Sequence, residues 1–187
     1  MKDTLLVSLG NTSVTLALAG EDGAERLKKF RLKDLNSIKK YLGRLDLTRV
    51  LVASVVPKKE KTVLGLLGGV KVFKIGVDLK VPIASNYDVR SSLGLDRLIN
   101  AYYIKEKIGY PAVCIDCGTA VTIDLISARG VFEGGLIIPG FNTAAQALAD
   151  NTDRLRKVNF KTIPKGFYGQ STQDCIKLGI TLSISSL

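Results

Sequence analysis

Two short segments of the sequence place glycine and threonine at a turn between strand patterns, at residues 10–12 (Gly-Asn-Thr) and 118–120 (Gly-Thr-Ala). Glycine lets the backbone approach a ligand closely, and successive N–H groups at such a turn form a concave anion site. The hydroxyls of Thr12 and Thr119 add donors. Similar turns occur in many hairpins that bind nothing, but here the pattern occurs twice with matching strands on both sides. The two turns therefore predict that the chain holds the phosphates of a nucleotide, one from each side.

Two aspartates belong to the strands around the second turn. Asp116 ends an apolar strand just before the turn, and Asp124 lies inside the apolar run at residues 121–126. A carboxylate in a buried strand is costly unless it is paired or binds a cation, and phosphoryl transfer needs cations that neutralise oxygen charge. We therefore interpret Asp116 as a cation ligand. Asp124 is either part of the same arrangement or a structural hydrogen-bonding residue.

Asp96 and Arg97 open the most regular predicted helix, residues 96–108, and Ser91 or Ser92 is expected to cap its start. An aspartate at this place is often explained by the helix dipole alone. Next to an arginine it gains a second interpretation. A carboxylate can take a proton from a hydroxyl group, while a guanidinium holds a phosphate or carboxylate with two hydrogen bonds. The pair indicates acid–base chemistry on an anionic substrate that carries a hydroxyl.

The sequence contains no histidine, so nucleophile pairs of the Ser-His and Cys-His kinds are excluded. Any acid–base chemistry must use Asp, Glu, Lys or Tyr. Cys114 and Cys117 have a metal-like spacing, but residues three apart on a strand point to opposite faces. We therefore expect two small buried residues rather than a zinc site. The odd count of three cysteines fits a reducing compartment, and we expect a cytoplasmic protein.

The net charge of +10 favours anionic partners. Nucleic acid, a membrane surface and phosphorylated small molecules all remain open on charge alone. The basic residues are mixed with acidic and apolar ones, and there is neither an arginine-rich arm nor a basic stripe interleaved with aromatic residues. A solvated basic surface is the favoured interpretation, with nucleic acid a possible but less favoured partner. No apolar run approaches the roughly 20 residues that span a bilayer, so no membrane segment is expected.

Strand and helix patterns alternate along the 187 residues and predict an α/β protein. The predicted strands are residues 4–9, 13–19, 26–32, 50–56, 70–75, 112–116, 121–127 and 131–138. The predicted helices are residues 35–45, 59–67, 96–108, 142–150 and 172–183. Both halves open with strand, turn, strand, turn and strand. The break at residues 109–111 therefore predicts an N-terminal lobe, residues 1–110, and a C-terminal lobe, residues 111–187.

In this order the motifs resemble those of the type III pantothenate kinases, which belong to the actin, sugar-kinase and Hsp70 superfamily. The matching segments are residues 9–12, 55–57, 87, 94–97, 116–124, 134–140, 148, 152 and 172. The resemblance implies two ribonuclease-H-like lobes with mixed sheets flanked by helices. It also implies ATP-dependent phosphorylation of pantothenate to 4'-phosphopantothenate, the first step of coenzyme A biosynthesis. The family is dimeric, so a homodimer with the substrate site near its interface is expected.

The resemblance also implies roles for individual residues. Asp96 would accept the proton of the pantothenate hydroxyl, and Asp116 would bind a monovalent cation, K⁺ or NH₄⁺. ATP with Mg²⁺ would be bound by residues of the two turns and the strands beside the first: Ser8, Leu9, Gly10, Asn11, Thr12, Ser13, Val14, Thr15 and Thr119. Pantothenate would be bound by Tyr87, Gly94, Leu95, Asp96, Arg97 and Thr172, the last from a second subunit.

Two features depart from the family pattern. The family has an aspartate two residues before the glycine of its first turn, where this sequence has Ser8, and that aspartate helps to organise metal and phosphates. Family members also continue with further strands and a closing helix, so we expect a C-terminally shortened chain with an incomplete second lobe. The alternative hypothesis is a catalytically impaired or inactive member that acts as a nucleotide-binding protein or a Baf-type transcriptional regulator.

Overall fold

A computed structural model describes residues 3–21 and 23–186. The described strands are β1 (Asp3–Leu9), β2 (Ser13–Ala19), β3 (Ala24–Arg31), β4 (Leu47–Ser54), β5 (Lys71–Lys74), β6 (Ala112–Cys117), β7 (Ala120–Ile126) and β8 (Phe132–Pro139). The α-helices are α1 (Leu35–Leu42), α2 (Pro57–Leu64), α3 (Leu95–Tyr103), α4 (Phe141–Asp150) and α5 (Thr172–Ser185). Every predicted strand and helix is present, with ends that differ by a few residues.

The first sheet has the strand order β3-β2-β1-β4-β5. Strands β1, β2 and β3 pair antiparallel, whereas β4 and β5 continue the sheet parallel to β1. This is the mixed sheet of a ribonuclease-H-like lobe, and the predicted α/β class is confirmed. Period-2 alternation places Leu5, Val7 and Leu9 of β1 on one buried face. Ile38 of α1 and Val63 of α2 complete the core on that face, which fixes the register of β1 and therefore the position of the turn that follows it.

Strands β6, β7 and β8 form a second sheet in that order. At its edge, β6 exposes the side chains of Val113 and Ile115. Cys114 is only partly buried and Cys117 is exposed, so the expectation of two buried cysteines was wrong: their strand lies at the edge of the sheet. No group of three or more histidine, cysteine or acidic residues converges on a metal-sized site in the part of the chain described.

The helices differ from the sequence prediction in one detail at each end of α3. A 3₁₀ turn, Arg90–Ser92, precedes it, so the Ser92 hydroxyl donates to the Val89 carbonyl at 2.7 Å instead of capping the helix. Gly94 is the N-cap residue, and it has no side chain to bond the first turn. At the other end a π-helical turn, Ile104–Ile108, continues the predicted helix. Within residues 3–21 and 23–186, no helix is long and apolar enough to cross a bilayer.

The chain divides into two compact units that are not contiguous in sequence. Unit 1 comprises Met1–Ala112 and Asp124–Gly134, and it contains the first sheet. Unit 2 comprises Val113–Ile123 and Gly135–Leu187, with a small core around Ala145 of α4, Val158 and Ile176 of α5. The lobe boundary between residues 110 and 111 stays a prediction.

Candidate functional site

A buried ion pair at α3 is the centre of the candidate substrate site in unit 1. The Arg97 guanidinium donates from Nε to Asp124 Oδ1 at 2.8 Å and from Nη2 to the same oxygen. Only 4% of Arg97 and 1% of Asp124 is exposed, which identifies this pair as part of the core of unit 1. The interpretation of Asp124 as a structural hydrogen-bonding residue is thereby confirmed.

Two aromatic rings enclose the guanidinium. Its carbon lies 5.4 Å from the centre of the Phe132 ring and 5.8 Å from that of Tyr87, within reach of cation–π attraction. Backbone pairing brings the rings there: the Phe132 amide donates to the Ala84 carbonyl, and the Asn86 amide donates to the Phe132 carbonyl. The predicted substrate residues Tyr87 and Arg97 therefore lie together, 10 positions apart in sequence. Phe132 was missed by the sequence prediction because it looks like any other apolar strand residue.

The Arg97 guanidinium stays positively charged although it is buried. Burial acts to lower its pKa, but the hydrogen bond to Asp124 and the charge of that carboxylate, helped by Tyr87, raise it further, so the net shift is upward. Asp124 Oδ2 is buried and has no hydrogen-bond partner among the described residues. The guanidinium therefore bonds only one of the two carboxylate oxygens. Removing either partner would leave the other as an uncompensated buried charge.

Asp96 has the opposite environment from its neighbour. Its side chain is exposed at the first turn of α3, and Oδ1 accepts a hydrogen bond from the Arg97 amide at 2.9 Å. A Cβ built on Gly94 would lie 2.6 Å from this oxygen, so glycine makes the space that the carboxylate occupies. Asp96 is thus held in place and accessible to a substrate hydroxyl, which a proton acceptor must reach, while the Arg97 side chain is buried.

A cavity of about 800 Å³ flanks the same helix within unit 1. Leu95 and Leu98 of α3 line it, and the basic residues Lys80 and Arg90 contribute to its wall. Arg90 donates to the Ile83 carbonyl at 2.8 Å, which fixes its side chain. Leu95, a predicted substrate-binding residue, therefore faces a space of ligand size with positive charge nearby.

The first turn is a tight connection between β1 and β2. The Gly10 amide donates to the Ser13 carbonyl at 3.0 Å, and the side chains of Asn11 and Thr12 are exposed.

The predicted ATP-binding residues on the strands beside this turn differ in exposure. Ser8 is exposed, and its register partners are Thr15 on β2 and Ala53 on β4. In contrast, the side chains of Leu9 and Val14, two further predicted ATP-binding residues, lie in the core. They can contact a nucleotide only through their backbone.

The second turn lies in unit 2, where the start of α4 supports it. The Gly140 amide and the Thr143 hydroxyl both donate to the Thr119 carbonyl, at 3.0 and 2.6 Å. A Cβ on Gly140 would meet the Gly118 carbonyl at 2.2 Å, so only glycine allows this approach.

Asp116, just before this turn, is exposed. The expectation that its strand is buried was wrong, because β6 lies at the edge of the sheet. Its role as a cation ligand stays a prediction.

Thr172, the last of the predicted site residues, is exposed at the start of α5 in unit 2. Ser171 caps the helix, accepting a hydrogen bond from the Asp174 amide at 3.1 Å. Thr172 lines an apolar cavity of about 840 Å³ together with residues of α4 and α5, among them Ala144 and Ile176. Its part in binding a substrate stays a prediction.

Comparison with known proteins identifies the family. A profile of the type III pantothenate kinases matches residues 4–187. The type III pantothenate kinase of Persephonella marina is 36% identical over 140 residues, which cover 73% of this chain and 54% of that protein. Those of a Sulfurihydrogenibium species and Chlorobium chlorochromatii are each 30% identical over 94% of this chain, covering 75% and 71% of their own lengths. The chain thus spans between about half and three quarters of these relatives, and it belongs to the type III pantothenate kinase family.

Proposed function

We propose that this protein transfers the terminal phosphate of ATP to pantothenate and forms 4'-phosphopantothenate, the first step of coenzyme A biosynthesis. The observation that carries the proposal is the start of α3, where an exposed Asp96 adjoins the buried Arg97. Family membership supplies the substrate class. We place the reaction in the cytoplasm and expect a homodimer in which Thr172 of the partner subunit contacts pantothenate.

In the proposed reaction Asp96 removes the proton of the pantothenate hydroxyl while that oxygen attacks the γ-phosphorus of ATP. A new P–O bond forms, the bond to the β-phosphate oxygen breaks, and ADP leaves. The backbone of residues 10–14 and Thr119 would hold the phosphates. Tyr87 and Gly94 would contact pantothenate, and Arg97, whose charge is balanced by Asp124, would hold the ring of Tyr87 in position beside it.

Cations complete this proposal. Mg²⁺ accompanying ATP would neutralise the charge that spreads over the phosphate oxygens. The exposed carboxylate of Asp116 is an oxygen ligand that suits a hard cation, and we assign it to K⁺ or NH₄⁺. ADP release measured with K⁺ and with Na⁺ as the only monovalent cation tests the monovalent-cation assignment, and its dependence on pantothenate tests the proposed function. We expect release that depends on pantothenate and is faster in K⁺; release unaffected by pantothenate would contradict the proposed function.

Replacing Ser8 with aspartate is expected to raise kcat about tenfold or more, because a carboxylate there would help to organise metal and phosphates. Ser8 is exposed between Thr15 and Ala53, so the charge need not be buried. The matched control is Asn36→Asp, which adds the same charge at an exposed position of α1. Steady-state kinetics of both variants measure the effect. An S8D enzyme no faster than wild type would show that this position does not limit the reaction.

A further inference from the structure

Lys59 is held against the tip of the first turn by a hydrogen bond that crosses 48 positions of sequence. Its Nζ donates to the Asn11 carbonyl at 3.0 Å. The Val55 amide donates to the Leu9 carbonyl at 3.1 Å, so the start of α2 lies directly beside the end of β1. The fold therefore brings an ammonium group to the turn formed by residues 10–12.

The charge of this ammonium group is not neutralised within the described residues. The neighbouring acid, Glu60, pairs instead with Lys74 on β5 at 2.5 Å. The two ion pairs found among residues 3–21 and 23–186 are this one and Arg97–Asp124. An ammonium group has three donors, and the Asn11 carbonyl accepts one of them. Lys59 therefore has charge and donors to offer an anion at the turn.

The position of Lys59 in its helix also needs a reason. Lys58 and Lys59 both lie in the first turn of α2, where the helix dipole disfavours cations. The exposed Lys58 shows that such a residue is tolerated at this helix start. Lys59 differs from it because its side chain is directed onto the carbonyl at the tip of the turn. An anion bound at the turn would be attracted by both the ammonium group and the helix terminus.

We propose that Lys59 contacts a phosphate oxygen of the nucleotide bound at the first turn and is a binding residue of that site. This rests on the proposed function, since it takes ATP as the ligand of the turn. Lys59 would supply a positive charge beside the phosphates, and its contact with Asn11 positions the ammonium group before the nucleotide binds.

The test is calorimetric titration of the whole chain with ATP and Mg²⁺, at low and at physiological salt. Lys59→Gln keeps a hydrogen-bond donor but removes the charge, and it is expected to raise the Kd for ATP about tenfold. Lys59→Arg should stay within about threefold of wild type, and the control Lys58→Gln within about twofold. The Kd of K59Q should also respond less to salt, with an unchanged unfolding temperature, which a purely structural role would not produce.

Two results would overturn the assignment, and they are distinguishable from each other. If K59Q binds ATP as tightly as wild type, or no more weakly than K58Q, Lys59 is not a phosphate-binding residue, although the turn still binds ATP. If wild type itself binds no ATP, the turn is not a nucleotide site, and the assignment of Lys59 fails with it.

Discussion

Replacing Asp96 with asparagine is expected to lower kcat by about 10²- to 10⁴-fold, the range typical for loss of a general base. Asparagine has nearly the same shape and can still accept the hydrogen bond of the Arg97 amide, but it cannot take a proton from a hydroxyl group. Asp96 is exposed, so the unfolding temperature should be unchanged. The KM for ATP should also change little, because the carboxylate acts on the other substrate.

The matched control for this prediction is Asp46→Asn. Asp46 is exposed in the connection between α1 and β4, far along the chain from the residues of the site, and its variant should keep wild-type kinetics. Comparing the initial rates of both variants separates loss of one negative charge from loss of the proton acceptor. A D96N enzyme within about threefold of wild type would exclude Asp96 from proton transfer.

Replacing Asp124 with alanine is expected to lower the free energy of unfolding by about 3–5 kcal/mol. The substitution leaves the Arg97 guanidinium buried between Tyr87 and Phe132 without its counter-charge. Chemical unfolding followed by circular dichroism measures the loss. Phosphorylation should fall as well, since the Arg97 guanidinium would no longer be held against the ring of Tyr87.

A second variant separates the effect of an unpaired buried charge from the effect of removing side-chain volume. The double substitution Arg97→Met with Asp124→Leu removes both charges and should recover most of the lost stability, as apolar replacement of buried pairs often does. Its activity should stay low, because the ring of Tyr87 would lose its contact with the Arg97 guanidinium. If D124A unfolds within about 1 kcal/mol of wild type, the ion pair does not stabilise unit 1 as described.

The local features of this fold could be predicted from sequence with good accuracy. The alternation in residues 13–19 and the helical spacing in residues 35–45 gave the correct elements, because burial of one face imposes those periods. The predicted capping of α3 was wrong because Ser91 and Ser92 belong to a 3₁₀ turn, which the sequence pattern does not reveal. Exposure of Asp116 was missed because a strand pattern does not tell whether its strand lies at a sheet edge.

Contacts between distant segments could not be predicted in the same way. Asp124 lies 27 positions from Arg97, and Lys59 lies 48 positions from Asn11. The apolar run around Asp124 indicated that the carboxylate needs a partner, but several cations were available along the chain. Which cation lies close to a given group depends on how distant segments pair. The parallel pairing of β1 with β4 and the hydrogen bond between Asn86 and Phe132 are two such pairings.

The central claim is that this chain phosphorylates pantothenate with Asp96 as proton acceptor. Mass spectrometry of the products formed from ATP, Mg²⁺, K⁺ and pantothenate tests it most directly, with wild type, S8D and D96N measured side by side. We predict 4'-phosphopantothenate from wild type, more of it from S8D, and about a hundredth of the wild-type amount or less from D96N. No phosphorylated pantothenate from either wild type or S8D would contradict the account.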